Sequence, residues 1–210
     1  MHKRTSYDPW HYVRGLQETS FCDWPGKVTS VIFFGSCNLR CPTCHNKSLA
    51  WNYEGLPKIQ KGKLLSFLDS KSSWLDGLVV SGGEPTYIPG IQDFLKEVKE
   101  RTGLPINMHT NGTNPEVVQT LLQDNIVEMF AVDIKAPWNK YADVTGNMFS
   151  GGQAKDHLST IFDLANQNQD NFYFRTTKVP KLTDEDIETI KSYLPEGFGL
   201  TVQEYREPEK

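Results

Sequence analysis

The sequence predicts an α/β fold built around a parallel sheet, and three observations support this prediction. Short apolar segments alternate with segments whose apolar residues recur at i, i+3, i+4 and i+7, the pattern of strands alternating with helices. Parallel strands require such crossovers, which are right-handed. The residues that are unusual for a core, namely clustered cysteines, glycine pairs and charged side chains, all follow the apolar segments. We therefore expect the carboxyl ends of the strands to form one functional edge.

The amino-terminal part of the chain is expected to be a loose arm followed by a hairpin. Residues 1–12 are polar and aromatic without a clear period and predict the arm. Residues 13–19 predict an extended segment, and Asp23-Trp24-Pro25-Gly26 places Pro before Gly, the order that a type II turn requires. This hairpin leads into the first core strand at residues 28–34.

Five βα units and a closing strand are predicted from there on. The further strands are expected at residues 77–80, 104–109, 126–132, 171–177 and 198–205. The helices are expected at residues 62–69, 91–102, from 114 onward, around 158–165, and from 183 to 194. Gly103 marks a helix end, Asn114 and Thr183 are expected to cap helix starts, and residues 51–61 are expected to be irregular. Alternation alone does not separate an open sheet from a barrel, although six strands are too few for an eight-stranded barrel.

Three of the four cysteines lie in one loop directly after the first core strand. Cys37, Cys41 and Cys44 are spaced C-x3-C-x2-C, and short non-helical spacers allow their thiols to converge on one metal centre. In a four-iron cluster, three thiolates leave one iron without a protein ligand and open to chemistry. A structural zinc site with His45 or Cys22 as the fourth ligand is the alternative, but zinc loops usually have a second ligand pair, and none follows. Cys22 is interpreted as a small buried apolar residue.

Two further motifs follow predicted strands. Gly82-Gly83-Glu84 exposes main-chain groups to which a charged ligand could come close, although such a glycine pair can also be a plain turn, with Glu84 favoured by the helix dipole. Asp133 and Lys135 lie on one side of a strand end because side chains alternate along a strand, so they form either a site or a solvated end.

Three more polar residues lie at strand ends. Thr110 and Asn111 can donate hydrogen bonds to a ligand or form a turn. Arg175 can neutralise a carboxylate or simply face solvent. None of these residues is expected to act as a catalytic acid or base.

The run Gly35-Ser36-Cys37-Asn38-Leu39-Arg40-Cys41-Pro42-Thr43-Cys44-His45-Asn46 resembles the cluster motif of radical S-adenosylmethionine (radical SAM) enzymes. Its form is that of glycyl-radical activating enzymes, and it is most similar to the anaerobic ribonucleoside-triphosphate reductase activating proteins. The resemblance implies a partial (β/α)6 TIM-like barrel that carries its cluster after the first strand. It also implies a 4Fe-4S cluster on Cys37, Cys41 and Cys44, with S-adenosyl-L-methionine as the second cofactor.

The resemblance also implies roles for the other motifs. Gly82-Gly83-Glu84 would hold the amino group of S-adenosylmethionine, Asp133 its ribose hydroxyls and Lys135 its carboxylate. The remaining residues implied as cofactor contacts are Thr43, His45, Thr110, Asn111 and Arg175. Two positions depart from the family pattern. Thr43 replaces an aromatic residue on the adenine side, and His109 replaces an aspartate of a monovalent-cation site, which puts cation dependence in doubt.

The activity implied is the one-electron reductive cleavage of S-adenosylmethionine to methionine and a 5′-deoxyadenosyl radical. That radical would abstract hydrogen from a backbone glycine of a partner enzyme, and the resemblance favours an anaerobic ribonucleotide reductase as that partner. A flavodoxin- or ferredoxin-type protein would donate the electron. The sequence leaves two other functions open. One is a small-molecule radical SAM enzyme of the 7-carboxy-7-deazaguanine synthase type, and the other is a zinc-stabilised binding module without catalysis.

Length and composition exclude several other classes. The 210 residues fit one domain, with a barrel at residues 28–205 preceded by the hairpin at 13–27. The formal net charge is −4 and the basic residues are scattered, so no nucleic-acid partner is expected. No apolar run is long enough to span a membrane, and the basic amino terminus lacks the apolar region of a signal peptide. A cytoplasmic protein is therefore expected.

Overall fold

The computed structural model describes residues 8–207, which form a seven-stranded sheet in the order β1-β2-β3-β4-β5-β6-β7. The strands are β1 Val13–Ser20, β2 Thr29–Phe34, β3 Gly77–Gly82, β4 Ile106–Thr110, β5 Met129–Asp133, β6 Phe172–Lys178 and β7 Leu200–Glu204. The helices are α1 Lys47–Trp51, α2 Lys61–Lys71, α3 Ile91–Thr102, α4 Pro115–Gln123, α5 Tyr141–Val144, α6 Gly151–Gln167 and α7 Asp184–Lys191.

The pairing of the strands confirms the predicted fold class. β1 pairs antiparallel with β2, and each later strand pairs in parallel with the one before it. The six parallel strands β2 to β7 are those of the predicted (β/α)6 arrangement. Within the described residues β1 and β7 are the two edges of the sheet and do not pair with each other, so the sheet does not close.

Local signals position the elements as the sequence predicts. The turn before β2 is closed by a 3.1 Å bond from the Lys27 amide to the Trp24 carbonyl, with Gly26 at φ 77°. Gly103 ends α3 with φ 67°, in the left-handed region that favours glycine. Thr183 begins α7 with a capping box.

The prediction of a loose arm over residues 1–12 is wrong for its last part. Pro9–Tyr12 forms a 3-10 helix that is capped by the Asp8 carboxylate. Trp10 is buried, its ring lies 4.5 Å from that of Phe94, and its indole nitrogen donates a 3.1 Å hydrogen bond to Glu97. A large aromatic side chain thus fixes the segment to α3. Residues 1–7 lie outside the described part of the chain.

Three other predictions also need correction. Residues 51–61 are not wholly irregular, because α1 ends at Trp51 and a 3-10 helix covers Tyr53–Gly55. Asn114 precedes α4 but does not cap it with its side chain, which donates to Thr86 Oγ1 at 2.9 Å instead. Cys22 is exposed rather than buried, since it lies at the outer end of the β1–β2 hairpin.

The main core lies between the sheet and the helices. From β2 to β6 one face of the sheet is largely apolar and buried, and its largest buried side chains include Phe34, Phe130 and Phe174. The opposite face, called the inner face below, carries a small apolar cluster of Trp24, Val31 and Val79, and its polar residues lie toward the strand ends. None of the helices found in residues 8–207 is long and apolar enough to cross a membrane.

Candidate active site

A single cavity of about 280 Å³ at the carboxyl ends of the strands is lined by every residue that the sequence predicts for the site. These residues are Cys37, Cys41, Thr43, Cys44, His45, Gly82, Gly83, Glu84, Thr110, Asn111, Asp133, Lys135 and Arg175. They come from the cysteine loop (residues 35–46) and from the ends of β3, β4, β5 and β6, so the fold brings together residues as much as 138 positions apart, from Cys37 to Arg175.

The cysteine loop is held in place by main-chain hydrogen bonds on both sides. On the β3 side, the amides of Gly83 and Glu84 donate to the Phe34 and Ser36 carbonyls at 2.8 and 2.9 Å. On the α5 side, the Arg40 amide donates to the Thr145 carbonyl at 3.1 Å. The backbone on both sides of the loop therefore positions it.

The glycine pair after β3 is required by close packing against this loop. Gly82 has φ +119°, and a Cβ on it would lie 2.3 Å from the Phe34 carbonyl oxygen. A Cβ on Gly83 would lie 1.8 Å from the Ser36 carbonyl oxygen and 3.3 Å from Cys37 Cβ. The pair is thus more than a plain turn, since it allows β3 to meet the backbone of the cysteine loop directly.

The three thiols of the loop are free and partly buried. Burial and the nearby Glu84 charge raise the pKa of Cys37 to about 12, and burial raises the pKa of Cys41. Iron would have to displace these protons on binding. In the described part of the chain, no three or more Cys, His, Asp or Glu side chains converge as ligands of one metal ion. Thiolates that bind three different irons of a cluster need not meet at one point.

Glu84 is a buried carboxylate that accepts four hydrogen bonds. Its Oε1 accepts from the Thr86 amide (3.2 Å), the Thr86 hydroxyl (2.6 Å) and the Thr110 hydroxyl (2.7 Å), and its Oε2 accepts from the Asn111 amide (2.7 Å). All of these donors are neutral. Burial raises the pKa of Glu84, while the hydrogen bonds act in the opposite direction. The side chain therefore ties the end of β3 to the end of β4, and none of these contacts brings a positive charge to it.

Asp133 binds two cations at the end of β5. Arg175 Nε donates to Oδ1 at 2.9 Å, and Lys135 Nζ donates to Oδ2 at 3.1 Å. Burial alone would raise the pKa of Asp133, but the two positive charges hold it well below its ordinary value. Burial likewise would lower the pKa of Lys135, and the Asp133 charge raises it instead. Arg175 is largely buried in this ion-paired network rather than facing solvent.

His109 contacts the hairpin before β2. Its Nε2 lies 3.0 Å from the Asp23 carbonyl oxygen and 3.4 Å from Arg175 Nη1. Burial and the Arg175 charge lower the pKa of His109 to about 4. The imidazole is therefore neutral near pH 7, and the carbonyl contact places its hydrogen on Nε2.

Thr110 and Asn111 both form internal contacts at the end of β4. Besides the bond from Thr110 to Glu84, Asn111 Nδ2 donates to Asn38 Oδ1 at 3.0 Å, and Asn38 Nδ2 donates to Thr113 Oγ1 at 2.7 Å. These bonds connect the cysteine loop to the end of β4.

Thr43, predicted for the adenine side, and His45, predicted as a further cofactor contact, both belong to the cysteine loop. Thr43 lines the cavity and is partly exposed. The His45 ring stacks on Tyr205 with a centroid distance of 5.2 Å and an interplanar angle of 15°, and its Nε2 contacts the Arg206 carbonyl. The aromatic surface beside this loop is thus formed by a pair of rings distant in sequence.

Sequence reasoning missed several residues of the site. The cavity residues to which it gave no role in the site include Leu39, Trp51, Ser81, Val144, Thr177, Val179 and Gln203. Thr177 and Gln203 lie within strands predicted correctly, and their period-two spacing from Arg175 and Thr201 was the available signal. Trp51 ends α1, whose short length gave no periodic signal.

The arrangement fits a cluster and a zwitterionic cofactor. The three thiols border the same cavity as the uncompensated Glu84 carboxylate and the Lys135 ammonium. A ligand that carries both an ammonium and a carboxylate would meet an opposite charge at each of these groups. The residues that line the cavity therefore fit a thiolate-bound cluster with a zwitterionic cofactor beside it.

Comparisons with known proteins agree with this geometry. A provisionally named glycyl-radical enzyme activating enzyme of Methanocaldococcus jannaschii is 32% identical over 195 residues, which cover 92% of this chain and 79% of that protein. The pyruvate formate-lyase-activating enzyme of Clostridium pasteurianum is 27% identical over 82% of this chain and 70% of its own. A 7-carboxy-7-deazaguanine synthase of Haemophilus influenzae is 31% identical over only 41% of this chain and 37% of its own.

The fold is shared with solved structures as well. Streptococcus suis SuiB bound to its precursor peptide SuiA superposes with a TM-score of 0.62 at 17% identity, over 84% of this chain. This chain spans only 39% of SuiB, so the likeness concerns the common fold. The family model described as the radical SAM superfamily matches residues 31–194, and the chain is therefore an enzyme that belongs to the radical SAM superfamily.

Proposed function

We propose that this enzyme generates a glycyl radical on a partner protein, with S-adenosylmethionine and a 4Fe-4S cluster as cofactors. The similarity to a glycyl-radical activating enzyme over nearly the whole chain carries the proposal. The partner is taken to be an anaerobic ribonucleoside-triphosphate reductase, and the electron donor a flavodoxin- or ferredoxin-type protein. The cavity supports the proposal because cysteines, a buried anion and two cations line it together.

Cys37, Cys41 and Cys44 would bind three irons of the cluster. When bound, the cluster supplies the electron that cleaves S-adenosylmethionine into methionine and a 5′-deoxyadenosyl radical. The protein would prepare this step in two ways. Main-chain hydrogen bonds fix the cysteine loop against β3 and α5, and the thiols line a cavity rather than the open surface.

The charged side chains would orient the cofactor by its own charges. The negative Glu84 would attract the ammonium group beside the open backbone of Gly82 and Gly83. Lys135 would turn from Asp133 Oδ2 to the cofactor carboxylate, which would free that oxygen to accept from the ribose hydroxyls. Arg175 would remain on Oδ1 and keep Asp133 ionised.

The substrate step is a hydrogen-atom transfer. The Cα–H bond of a backbone glycine would break homolytically, the hydrogen atom would pass to the 5′ carbon of the cleaved cofactor, and the unpaired electron would stay on the glycine Cα. Such a step needs no acid or base from the protein. It needs a glycine close to the 5′ carbon in a cavity that excludes small quenching molecules.

The first experiment is anaerobic reconstitution with iron and sulfide, followed by dithionite, S-adenosylmethionine and an assay for 5′-deoxyadenosine. Wild type should form the product, Cys41→Ala should form none, and Cys22→Ala should match wild type because Cys22 is exposed and does not line the cavity. Equal product from Cys41→Ala would contradict the assignment of the ligands.

The second experiment identifies the substrate class. Wild type is incubated with the glycyl-radical protein encoded in the same genome, labelled with deuterium at its glycine residues, and examined by electron paramagnetic resonance (EPR). A glycyl radical together with deuterium in 5′-deoxyadenosine is expected. The local similarity to a 7-carboxy-7-deazaguanine synthase keeps a small-molecule substrate as the second candidate. Product formation that never yields a glycyl radical would favour that candidate.

A further inference from the structure

The last strand of the sheet, β7, differs from the other strands in its exposure. Its residues from Thr201 to Glu204 are all exposed, whereas β2 to β5 are almost entirely buried. Even Val202, on the side of the helices, is 37% exposed. Leu200 at the start of β7 packs against the apolar core, whereas both faces of the strand from Thr201 to Glu204 are exposed.

No strand among residues 8–207 pairs with the outer edge of β7. Its inner edge pairs with β6 through five consecutive register pairs without a shift, from Phe174 with Leu200 to Lys178 with Glu204. Within residues 8–207 the main-chain groups of β7 make no hydrogen bond on the other side. A regular edge of this kind presents a row of donors and acceptors that only another extended backbone can satisfy.

The opposite edge of the sheet is protected, which makes β7 distinctive. β1 has two register shifts along its pairing with β2, and such bulges twist an edge away from further pairing. The Ile59 amide also donates to the Val13 carbonyl at the start of β1. In contrast, Leu200-Thr201-Val202-Gln203 contains no charge, no proline and no bulge.

The free edge lies beside the mouth of the candidate active site. Gln203 and its register partner Thr177 line the cavity. Tyr205, directly after β7, stacks on His45 and holds the end of the strand against the cysteine loop. A strand added at this edge would lie about 4.8 Å from β7 and would run past the cavity opening.

We propose that β7 is the docking edge for an extended segment of the partner polypeptide, which pairs with it main chain to main chain and so brings its glycine to the cavity. The inference rests on the proposed function. Recognition through the backbone suits a substrate that is itself a backbone glycine, since glycine has no side chain that a binding pocket could contact.

Two proline substitutions test the edge. Main-chain N–H groups point alternately to the two sides of a strand. Of the two variants Thr201→Pro and Val202→Pro, one therefore loses an N–H that faces β6, and the other loses an N–H that faces outward. Proline is tolerated in an edge strand where its missing N–H faces outward. The variant that keeps the stability of wild type is therefore the edge variant. Thr201→Ala and Val202→Ala, which retain both N–H groups, are the matched controls.

The readouts separate docking from cofactor chemistry. The edge variant should cleave S-adenosylmethionine like wild type without a partner, yet need about tenfold more partner for half-maximal glycyl radical formation by EPR. The alanine variants should match wild type. Independently, adding the glycyl-radical protein should protect the outward-facing amides of β7 from hydrogen exchange, a measurement that needs no variant to fold.

An edge variant that activates the partner like wild type, or β7 amides that stay unprotected, would overturn the docking inference while leaving the activase function intact. Loss of a wild-type dimer in the edge variant would also overturn it, since a second copy of this chain would then occupy the edge. If wild type cleaves the cofactor but forms no glycyl radical, the proposed function itself fails and the inference falls with it.

Discussion

At the scale of the residue, Glu84 combines a structural and an electrostatic role. Its carboxylate orders the ends of two strands through four hydrogen bonds, and its charge faces the thiols, since it raises the pKa of Cys37. Glutamine has the same shape without the charge, but it would remove the charge and also disturb part of the hydrogen bonding. The amide nitrogen of a glutamine would face either the Asn111 amide or the donors from Thr86 and Thr110.

Glu84→Gln is therefore expected to lower the free energy of unfolding by about 1–3 kcal/mol, because buried donors lose their acceptor. It should also weaken the binding of S-adenosylmethionine by about tenfold or more, because the charge that would face the ammonium is gone. Urea unfolding and isothermal titration calorimetry measure the two effects. The control Glu100→Gln, at an exposed position of α3, should change stability by no more than about 0.5 kcal/mol. A stable Glu84→Gln variant with unchanged binding would contradict both roles.

His109 predicts a pH dependence of stability. Its pKa is lowered in the folded protein from 6.5 to about 4, so between these values the unfolded chain binds a proton that the folded chain does not. The stability contributed by the neutral imidazole is therefore present above pH 6.5 and lost as the pH falls toward 4. The full difference between a pKa of 6.5 and one of about 4 corresponds to about 3–4 kcal/mol, of which about 2–3 kcal/mol is lost by pH 4.

The substitution His109→Gln keeps an N–H donor toward the Asp23 carbonyl and removes the titration. Between pH 7 and pH 4, wild type without iron should lose about 2–3 kcal/mol more unfolding free energy than the variant. Urea unfolding of both proteins at several pH values measures the difference. Parallel curves for the two proteins would show that His109 does not titrate as the geometry requires.

The sequence named residues that line one cavity, but it did not show how they contact one another. Each predicted residue follows an apolar segment or belongs to a short motif, and both signals are local. The contact between His109 and the Asp23 carbonyl, or the bond from Asn111 to Asn38, joins residues more than 70 positions apart. Such pairs depend on register and loop conformation, which no local pattern records.

At the scale of the element, α5 serves as a support for the cysteine loop. Gly146, just after α5, has φ +73°, and a Cβ on it would lie 2.1 Å from the Arg40 carbonyl oxygen. The Arg40 amide donates to the Thr145 carbonyl at the same contact. The backbone between two of the proposed ligands therefore lies directly on the end of this helix.

Gly146→Ala should accordingly destabilise the protein by more than the backbone strain at a positive φ, because the added Cβ would also collide with the cysteine loop. Gly26→Ala is the matched control, because Gly26 has nearly the same φ of +77° but no atom within 4 Å of the added Cβ. The control should cost about 1–2 kcal/mol of stability through backbone strain. Gly146→Ala should cost more, and it should bind less iron and sulfide per chain after reconstitution. Equal stability and equal iron content in the two variants would show that the loop can move away from α5 at little cost.

Elements were predictable where their signal was periodic. Helices α2, α3, α6 and α7 carry apolar residues at helical spacing, and each appears close to its expected position. Helix α1 and the 3-10 helix at Pro9–Tyr12 have at most five residues, too few for a period to show. The burial of Trp10 depends on α3, and the exposure of Cys22 depends on how far the hairpin extends. Both depend on tertiary packing, which a local sequence pattern does not record.

At the scale of the whole molecule, the fold is organised independently of its proposed cluster. One continuous apolar core extends from Trp10 to Ile190 and joins the helices to the sheet. The cysteine loop is anchored to this framework by main-chain hydrogen bonds to the end of β3 and to the residue after α5. Small zinc domains behave differently, because metal binding supplies most of their folding free energy.

This difference predicts the effect of removing the metal. Anaerobic treatment of the reconstituted enzyme with a strong iron chelator should abolish 5′-deoxyadenosine formation but leave the far-ultraviolet circular dichroism nearly unchanged. The thermal midpoint should fall by only a few degrees, about 2–4 °C per kcal/mol for a chain of this size, because only the contribution of the ligand is lost. Renewed addition of iron and sulfide should restore activity without a refolding step. A cooperative loss of helical signal on chelation would instead show that the cluster holds the cysteine loop, α5 and the strand ends together, and that the main-chain anchors are too weak to do so alone.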